Sequence, residues 1–428
     1  MLDLKFIREN PEKVRQGIAA KCAQADLDRL FVLDLERRKL LQEVEALKKA
    51  RNVANDQISL LKREGKSADP ILTKMKSSSQ KIDEIDKKVG DIESIINSIQ
   101  VYIPNIPHES VKTSKDSSGN QIVREWGQRR SFSFKPQDHE ALGKKLGWLS
   151  FERGAKVTGS AFPVYQGMGA RLERGLINLM IDLHTKKHGY KEVWVPYVVN
   201  RTSMFGTGQL PKLEEDMYRL KDEDYFLIPT GEVPVTNLHR DETLDEKDLP
   251  RKYACYTPCF RREAGAYGKD TKGLSRVHQF DKVELVKFVK PDSGLAELES
   301  LVREASAVLQ LLEIPYRVVE LCSAELSFSG MKGYDLEAWA PGMERWFEVS
   351  SCTWFGDFQA RRMNIRYLPA ARLPDGQGRQ AGQRKSELVH TLNGSGVALA
   401  RTVICLMENF QTAQGGVEFP KALKPYLD

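Results

Sequence analysis

Between Phe260 and Glu284 the chain reads FRREAGAYGKDTKGLSRVHQFDKVE. Arg261, Arg262 and Glu263 stand at the mouth of a glycine-rich, basic loop with Gly265, Gly268, Lys269, Lys272 and Gly273, and a second carboxylate, Glu284, follows it. The planar arginine fork suits phosphate and carboxylate oxygens and keeps its charge at any working pH. A carboxylate close by can hold an amine. The stretch therefore suggests a site for a phosphorylated ligand and an amino compound together. Read alone, it fits a solvated Arg/Glu surface loop equally well.

Four further stretches add chemistry. Thr230-Gly231-Glu232 puts a hydroxyl and a carboxylate at the end of a strand pattern. Glu348-Val349-Ser350-Ser351-Cys352 offers Glu348 and Ser351 as oxygen ligands for a hard cation such as Mg2+. Asp357 to Arg362, DFQARR, brings two more arginines. Asn393-Gly394-Ser395-Gly396 runs into a helix carrying Arg401, a turn suited to an anion or small polar ligand. Each has a plainer reading as a turn, a surface pair or a helix cap.

The elements that position these residues come from periodicity. Alternation over Val277, Gln279, Phe280, Val283, Glu284 and Val286 reads as a strand, so Phe260–Glu284 is strand, flexible loop, strand. Helices are expected over about 138–150, 170–189, 293–312 and 398–411. Strands are expected over Lys191–Asn200, with Pro196 at an edge or bulge, and near 225–229, 316–321, 334–339 and 345–350. Helices and strands do not alternate, so an α+β fold with a mostly antiparallel sheet is expected rather than a doubly wound one. Neither GxGxxG nor GxxxxGK[ST] occurs, which excludes Rossmann and P-loop nucleotide sites.

Residues 1–26 read as one amphipathic helix with Pro11 near its start. Leu33, Leu40, Leu47, Ala54 and Leu61 then recur every seven residues, and Ile71 to Ile99 step by four and three. Such heptads, broken at Gly65–Pro70, predict an antiparallel coiled-coil hairpin over about 27–99. At about 1.5 Å per residue its arms reach on the order of 50 Å into solvent. Lys62, Arg63, Lys66, Lys74 and Lys76 make the tip basic. That suits a nucleic-acid backbone or a protein partner, and the charge alone does not choose. Val101 to Asn120 reads as a linker.

Bulk properties agree. At 428 residues two or three domains are expected, and a net charge of +6 permits a polyanionic partner without requiring one. Six scattered cysteines without CxxC pairs suit a reducing compartment and argue against a zinc site. The charged N-terminus lacks an apolar signal core and no run approaches membrane-spanning length, so cytoplasmic residence is the expectation.

Taken together, TPCFRREAG, VHQFDKVE, EVSSC, DFQARR and HTLNGSG closely resemble the bacterial-type seryl-tRNA synthetases, class II aminoacyl-tRNA synthetases. The resemblance covers essentially the whole chain. It matches FRRE at Phe260–Glu263 to motif 2, Gly394–Arg401 to motif 3, Thr230-Gly231-Glu232 to the serine motif and Pro196 to motif 1 at a dimer interface. It implies a tRNA-binding domain over 1–105 with the hairpin, a linker over 106–125 and a class II catalytic domain over 126–428. The implied activity is serine–tRNA ligation: ATP and L-serine form seryl-adenylate, and the seryl group passes to the terminal adenosine of tRNA(Ser), with tRNA(Sec) a further candidate.

By the same resemblance, Thr230, Gly231, Glu232, Arg261, Glu284 and Ser395 would bind serine. Arg261, Arg262, Glu263, Val277, Phe280, Glu348, Val349, Ser350, Ser351 and Arg401 would bind ATP, with Val277, Phe280 and Arg401 packed against the nucleotide. Glu348 and Ser351 would hold Mg2+, and Arg261, Glu263 and Arg401 would be catalytic. A homodimer with no membrane or DNA partner is implied. The family usually has Ala at 231, so Gly231 is expected to loosen the serine pocket. It commonly has Ser-Asn where this chain has Thr353-Trp354, a bulky change beside the ATP-binding strand. The competing readings are an inactive paralogue acting as an RNA-binding protein and an aminoacyl-carrier-protein ligase, a type that lacks the long arm.

Overall fold

A computed structural model describes residues 1–264, 272–370 and 385–428. The tip of the glycine-rich loop, with Gly265, Gly268 and Lys269, and most of the 369–385 loop lie outside the described residues. The chain divides into two compact units: Leu2–Ala19 with Ala23–Pro104, and Asn105–Asp428 with Met1 and Ala20–Cys22.

The first unit is built on α1, Leu27–Arg63, and α2, Asp69–Gln100. Asp26 caps α1 by accepting from the Arg29 backbone N–H, and Pro70 sits in the first turn of α2, where its missing donor costs nothing. Gly65, at φ +66°, lets the chain reverse between them. Leu30, Val44 and Ile58 on α1 and Ile82, Ile85, Val89, Ile92 and Ile96 on α2 are buried, as the heptads require. Arg37, placed in the seam by its heptad position, reaches out to Glu93 at 2.7 Å. Residues 1–26 are not one helix but two, Leu4–Glu9 and Pro11–Ala20, because Pro11 has no N–H with which to continue the first. Arg8, Arg37 and Arg38 all reach the buried Asp34 of α1, at 3.1, 3.7 and 3.4 Å.

The second unit is an eight-stranded sheet of β1 Gln121–Trp126, β2 Lys191–Glu192, β3 Arg251–Phe260, β4 Gln279–Val289, β5 Tyr316–Glu320, β6 Lys332–Ala340, β7 Arg345–Trp354 and β8 His390–Ala398. Their spatial order is β1-β5-β6-β7-β8-β4-β3-β2. Every neighbouring pair is antiparallel except β2 with β3. Two sequence expectations need correction. Lys191–Asn200 is not a single strand: the chain pairs at Lys191–Glu192 and again at Val198–Asn200, on either side of Pro196. The stretch expected as linker contains most of β1, an exposed edge strand whose sequence does not alternate.

Helices α3 Met168–Lys186, α4 Gly294–Leu311 and α5 Leu399–Asn409 share one large core with the sheet. Along β4, Val283, Leu285 and Val289 belong to that core, while Val286 and Phe288 join a separate cluster on the opposite face with Val235, Ala360 and Met363. Glu284 shares that opposite face. Lys287 points into the helix side, fully buried, with Glu297 at 3.0 Å and Glu304 at 2.9 Å. Glu304 is further held by Tyr190 Oη at 2.6 Å and Lys252 at 3.2 Å.

Truncating this lysine leaves the half-buried Glu297 without its cation and Glu304 with Lys252 alone. Lys287→Ala is expected to cost about 3–5 kcal/mol of stability, read from the midpoint of chemical denaturation. An unchanged midpoint would show that the ion pairs are not what joins α4 to β4.

Candidate active site

The functional residues gather on the sheet face opposite the long helices. At their centre Glu284 of β4 lies opposite Ser395 of β8 and Cys255 of β3, so all three side chains leave the sheet on one side. Thr230 follows a short strand, Tyr225–Leu227, and Glu232 opens a one-turn helix, Glu232–Asn237. The Thr230 hydroxyl donates to Glu284 Oε2 at 2.9 Å and accepts from Lys282 Nζ at 2.8 Å. Lys282 also forms an ion pair with Glu284 Oε2. Asn393 Nδ2 donates to the other Glu284 oxygen at 3.2 Å. Burial opposes the charge on Lys282, but the Glu284 carboxylate outweighs it and holds the ammonium above its ordinary pKa.

Glu232 is bound differently. Gln359 Nε2 donates to its Oε1 at 2.6 Å, and Gln359 is itself fixed by the Thr207 carbonyl at 3.1 Å and the Thr391 hydroxyl at 2.7 Å. Burial, and then the charge of Glu284, push the Glu232 carboxyl up to about 7. The pocket thus contains one carboxylate neutralised by lysine and one that holds its proton until near neutrality. The second needs a cation to ionise it fully.

A more open strip continues from this pocket. Arg261 is exposed, with Nε donating to the Pro229 carbonyl at 3.3 Å and its guanidinium carbon 5.2 Å from the centre of the Phe280 ring. Arg401, in the first turn of α5, donates from Nε to the Ser275 carbonyl at 3.2 Å. Its Nη1 donates to the Glu348 carbonyl at 2.9 Å and lies 3.4 Å from Glu348 Oε2. Glu263, at φ +50°, accepts from Arg276 Nε at 2.6 Å.

Not every expected residue faces the strip. Arg262 is drawn to the 215–216 turn, donating to the Glu215 carbonyl at 3.1 Å. Val277 and Val349, expected at the nucleotide, have their side chains in the helix-covered core. Ser350 is buried, its hydroxyl donating to the Ser395 carbonyl at 2.7 Å. Contacts from Val277, Val349 and Ser350 to a ligand would be made by their backbone.

Glu348 and Ser351 are three residues apart, which on a regular strand would put them on opposite faces. A register shift on β7 corrects this: Ser351 lies opposite Asp335 and Glu348 opposite Glu337, two residues apart on β6. The two candidate cation ligands therefore share a face. Asp335 beside them has an enclosed Oδ1 with no hydrogen-bond partner. Burial, then the charge of Glu348, raise its carboxyl well above the usual range, while Ser351 opposes the shift. An enclosed carboxylate oxygen lacking a partner, next to Glu348 and Ser351, fits a hard cation.

Lys282, Arg276 and Asp335 escaped the sequence reading, and Gln359 and Asn393 stood inside its motifs without a role. Lys282 had a signal: it alternates with Glu284 along the strand, so both share its face. Asp335 alternates likewise with Glu337, but which strand lies beside it is a matter of register. Trp354 turns out to be a core residue, its Nε1 donating to His390 Nδ1 at 3.3 Å and its ring 5.6 Å from both His108 and His390.

The class follows from the sheet and the site together: this is a class II tRNA synthetase core. Residues 215–410 match the family described as "tRNA synthetase class II core domain (G, H, P, S and T)", and residues 1–107 match "Seryl-tRNA synthetase N-terminal domain". The chain is 52% identical over 427 residues to a serine–tRNA ligase of Caldanaerobacter subterraneus subsp. tengcongensis, covering 100% of this chain and 98% of that one. It is 51% identical, with the same coverage, to one from Carboxydothermus hydrogenoformans. The crystal structure of seryl-tRNA synthetase from Pyrococcus horikoshii complexed with ATP matches with a TM-score of 0.91 at 36% identity, covering 100% of this chain and 98% of that one. The chain belongs to the seryl-tRNA synthetase family.

Gly231 does not loosen the pocket as expected. A methyl group there would stand 2.8 Å from Cys255 Sγ, 3.1 Å from Glu284 Cβ and 3.2 Å from Thr257 Oγ1, so the thiol occupies the space that the glycine vacates. Gly231→Ala is therefore expected to overpack the site at a cost of about 1–3 kcal/mol and to raise the KM for serine. Adding Cys255→Ala should restore both. A single variant that matches the parent in melting temperature and KM would refute this account.

Proposed function

We propose that the enclosed pocket reads L-serine and the open strip reads ATP, so that the two substrates meet at Arg261. The observation that carries this is the pocket itself: two buried carboxylates, a hydroxyl and a lysine on one sheet face, with an exposed arginine beside them. Glu232 takes the substrate ammonium, which supplies the cation it lacks. Thr230 and Glu284 take the hydroxyl. A pocket so built rejects alanine, because its buried polar groups would be left unpaired. Ser395 closes the pocket opposite Glu284.

Arg261 holds the serine carboxylate against the ATP α-phosphate. The carboxylate oxygen attacks α-phosphorus, the bond to the β-phosphate oxygen breaks and pyrophosphate leaves, giving seryl-adenylate. Phe280 and Arg401 sandwich the adenine, and Glu263, steadied by Arg276, orients it. Glu348 and Ser351 would hold Mg2+, which when bound neutralises phosphate charge. A ribose hydroxyl of the terminal adenosine of tRNA(Ser) then attacks the acyl carbonyl and AMP departs. No covalent protein intermediate forms, so positioning and charge stabilisation supply the rate.

The proposal extends to organisation. Residues 1–105 form the tRNA-binding domain, whose hairpin over about 27–99 grips the long variable arm by shape and backbone contacts. Residues 106–120 connect it to a catalytic domain that begins with β1 at Gln121. The enzyme works as a homodimer in the cytoplasm. Among the described residues no helix is long and apolar enough to cross a membrane. Nothing in the site or the relatives favours the inactive paralogue, and the long arm speaks against the carrier-protein ligase. Charging of tRNA(Sec) as a second substrate is expected in an aminoacylation assay.

Serine-dependent ATP–pyrophosphate exchange tests the adenylation step. Exchange is expected with serine and not with threonine or alanine, and Arg261→Ala should lower it about 100-fold or more. Folded protein giving no exchange with serine would overturn the reading. The pH dependence follows from Glu232. Protonation removes the charge that pairs with the substrate ammonium, so the KM for serine should rise as pH falls through about 7. Well below that point the rise approaches about tenfold per unit. Glu232→Gln should have a high KM that is flat over the same range, and a parent KM independent of pH between 6 and 8 would contradict the assignment.

A further inference from the structure

We propose that Lys21, outside the substrate pocket, is a positioning residue for serine binding: it fixes the turn at 327–330 that backs the helix carrying Gln359. The inference rests on the assignment of the substrate ammonium to Glu232. Lys21 lies in the Ala20–Cys22 stretch, which belongs to the larger compact unit. It is buried, and among the described residues no carboxylate pairs with it. Its ammonium donates instead to three backbone carbonyls, of Ser327 at 2.8 Å, Phe328 at 3.2 Å and Gly330 at 2.5 Å. The fourth carbonyl of the turn, that of Ser329, accepts from Asn105 Nδ2 at 2.9 Å. A buried charge is costly unless its hydrogen bonds are complete, and this one uses all three of its N–H donors. Carbonyl dipoles that converge on one point repel one another, and the ammonium is what draws these three together.

Two contacts carry the position of the turn to the pocket. The Phe328 ring meets the Phe358 ring edge-on, with centroids 5.7 Å apart, and Phe358 precedes Gln359 in the helix Phe358–Met363. Arg362 of the same helix lies over Phe328 as well, its guanidinium carbon 5.6 Å from the ring centre. Ser329 packs on Gly208, where a methyl group would stand 3.2 Å from the serine Cβ. Gly208 follows Thr207, whose carbonyl accepts from Gln359 Nε2 at 3.1 Å. The turn therefore bears on Gln359 in two ways: on the helix that carries it and on the carbonyl that aims its amide. That amide is the group that donates to Glu232. The charged groups facing Glu232 are Glu284 and Lys282 from β4 and Arg261 beyond β3, while the helix faces it with the neutral Gln359. Lys21 touches none of these, so it reaches Glu232 through Gln359 alone.

The test is the KM for serine against pH, read in ATP–pyrophosphate exchange with the full-length protein. Lys21→Met keeps an unbranched side chain and removes its donors. It is expected to raise the KM for serine about tenfold and to leave the KM for ATP unchanged. The Gln359 hydrogen bond holds the Glu232 carboxyl down, so loosening it should move the rise in KM to a pH above about 7. Gln359→Ala should do the same, and adding Lys21→Met to Gln359→Ala should change the KM no further. An unchanged serine KM and pH profile in Lys21→Met overturns the proposal, even if the melting temperature falls, because a lysine that only stabilises the fold would leave both in place. An additive effect in the double variant overturns it equally. If Gln359→Ala is altered while Lys21→Met is not, the failure is that of Lys21 alone. If Gln359→Ala also matches the parent, the reading of Glu232 fails. Should Lys21→Met not fold, Phe328→Leu, which thins the contact with Phe358, is read by the same criteria.

Discussion

The site depends on keeping two carboxylates, Glu232 and Glu284, inside one enclosed pocket. Two such charges repel, and burial penalises each of them. The structure resolves the conflict asymmetrically. Glu284 is paired with Lys282 and takes further hydrogen bonds from Thr230 and Asn393, so its charge is compensated before any ligand arrives. Glu232 has only the Gln359 amide and keeps its proton to about 7. An incoming ammonium group supplies what Glu232 lacks, so part of the affinity for an amine is created by leaving that acid without a cation.

That asymmetry dictates much of the surrounding fold. Glu284 and Lys282 lie two apart on one strand, so an antiparallel sheet presents both on the same face with no special turn. Gln359 comes from a short helix, Phe358–Met363, and Thr391 from β8, so the Glu232 side of the pocket is assembled from three separate segments. The other face of β4 carries Lys287, buried against two glutamates of α4. The strand thus has an ion-pair network on each side, one joining it to a helix and the other opening to a ligand.

How much of this could be read from sequence follows from the range of the signals. The heptads of Leu30–Ile58 and Ile71–Ile99 are local and repeat, so the hairpin was legible almost to the residue. The strands around Arg261 and Glu284 were legible for the same reason. The first helix was misjudged because Pro11 permits a helix start and equally forces the end of the one before. Pro196 likewise divided what looked like one strand. Residues in the chemical motifs were visible by type, but their partners depended on register. Asp335 is the clearest case, since nothing in its own neighbourhood says that Ser351 lies opposite. Val277, Val349 and Ser350 show the reverse limit: motif position suggested contact with a ligand, while the core takes the Val277 and Val349 side chains and the Ser395 carbonyl takes the Ser350 hydroxyl.

Gly231 shows why a substitution in such a pocket cannot be judged at one position. Losing a methyl group suggests a looser site, but packed interiors conserve volume rather than identity. Here the volume is supplied by Cys255, one strand away and directly opposite Glu284. The thiol closes the floor of the pocket without adding a charge, since burial raises its pKa and keeps it protonated. A glycine and a cysteine together thus do the work of a larger residue beside a smaller one. The electrostatic balance of Glu232 and Glu284 tolerates the exchange because neither residue of the pair carries charge. The pocket can therefore vary in how its floor is packed, while the carboxylates, Lys282 and Gln359 form one coupled set in which no member can be replaced without unbalancing the others.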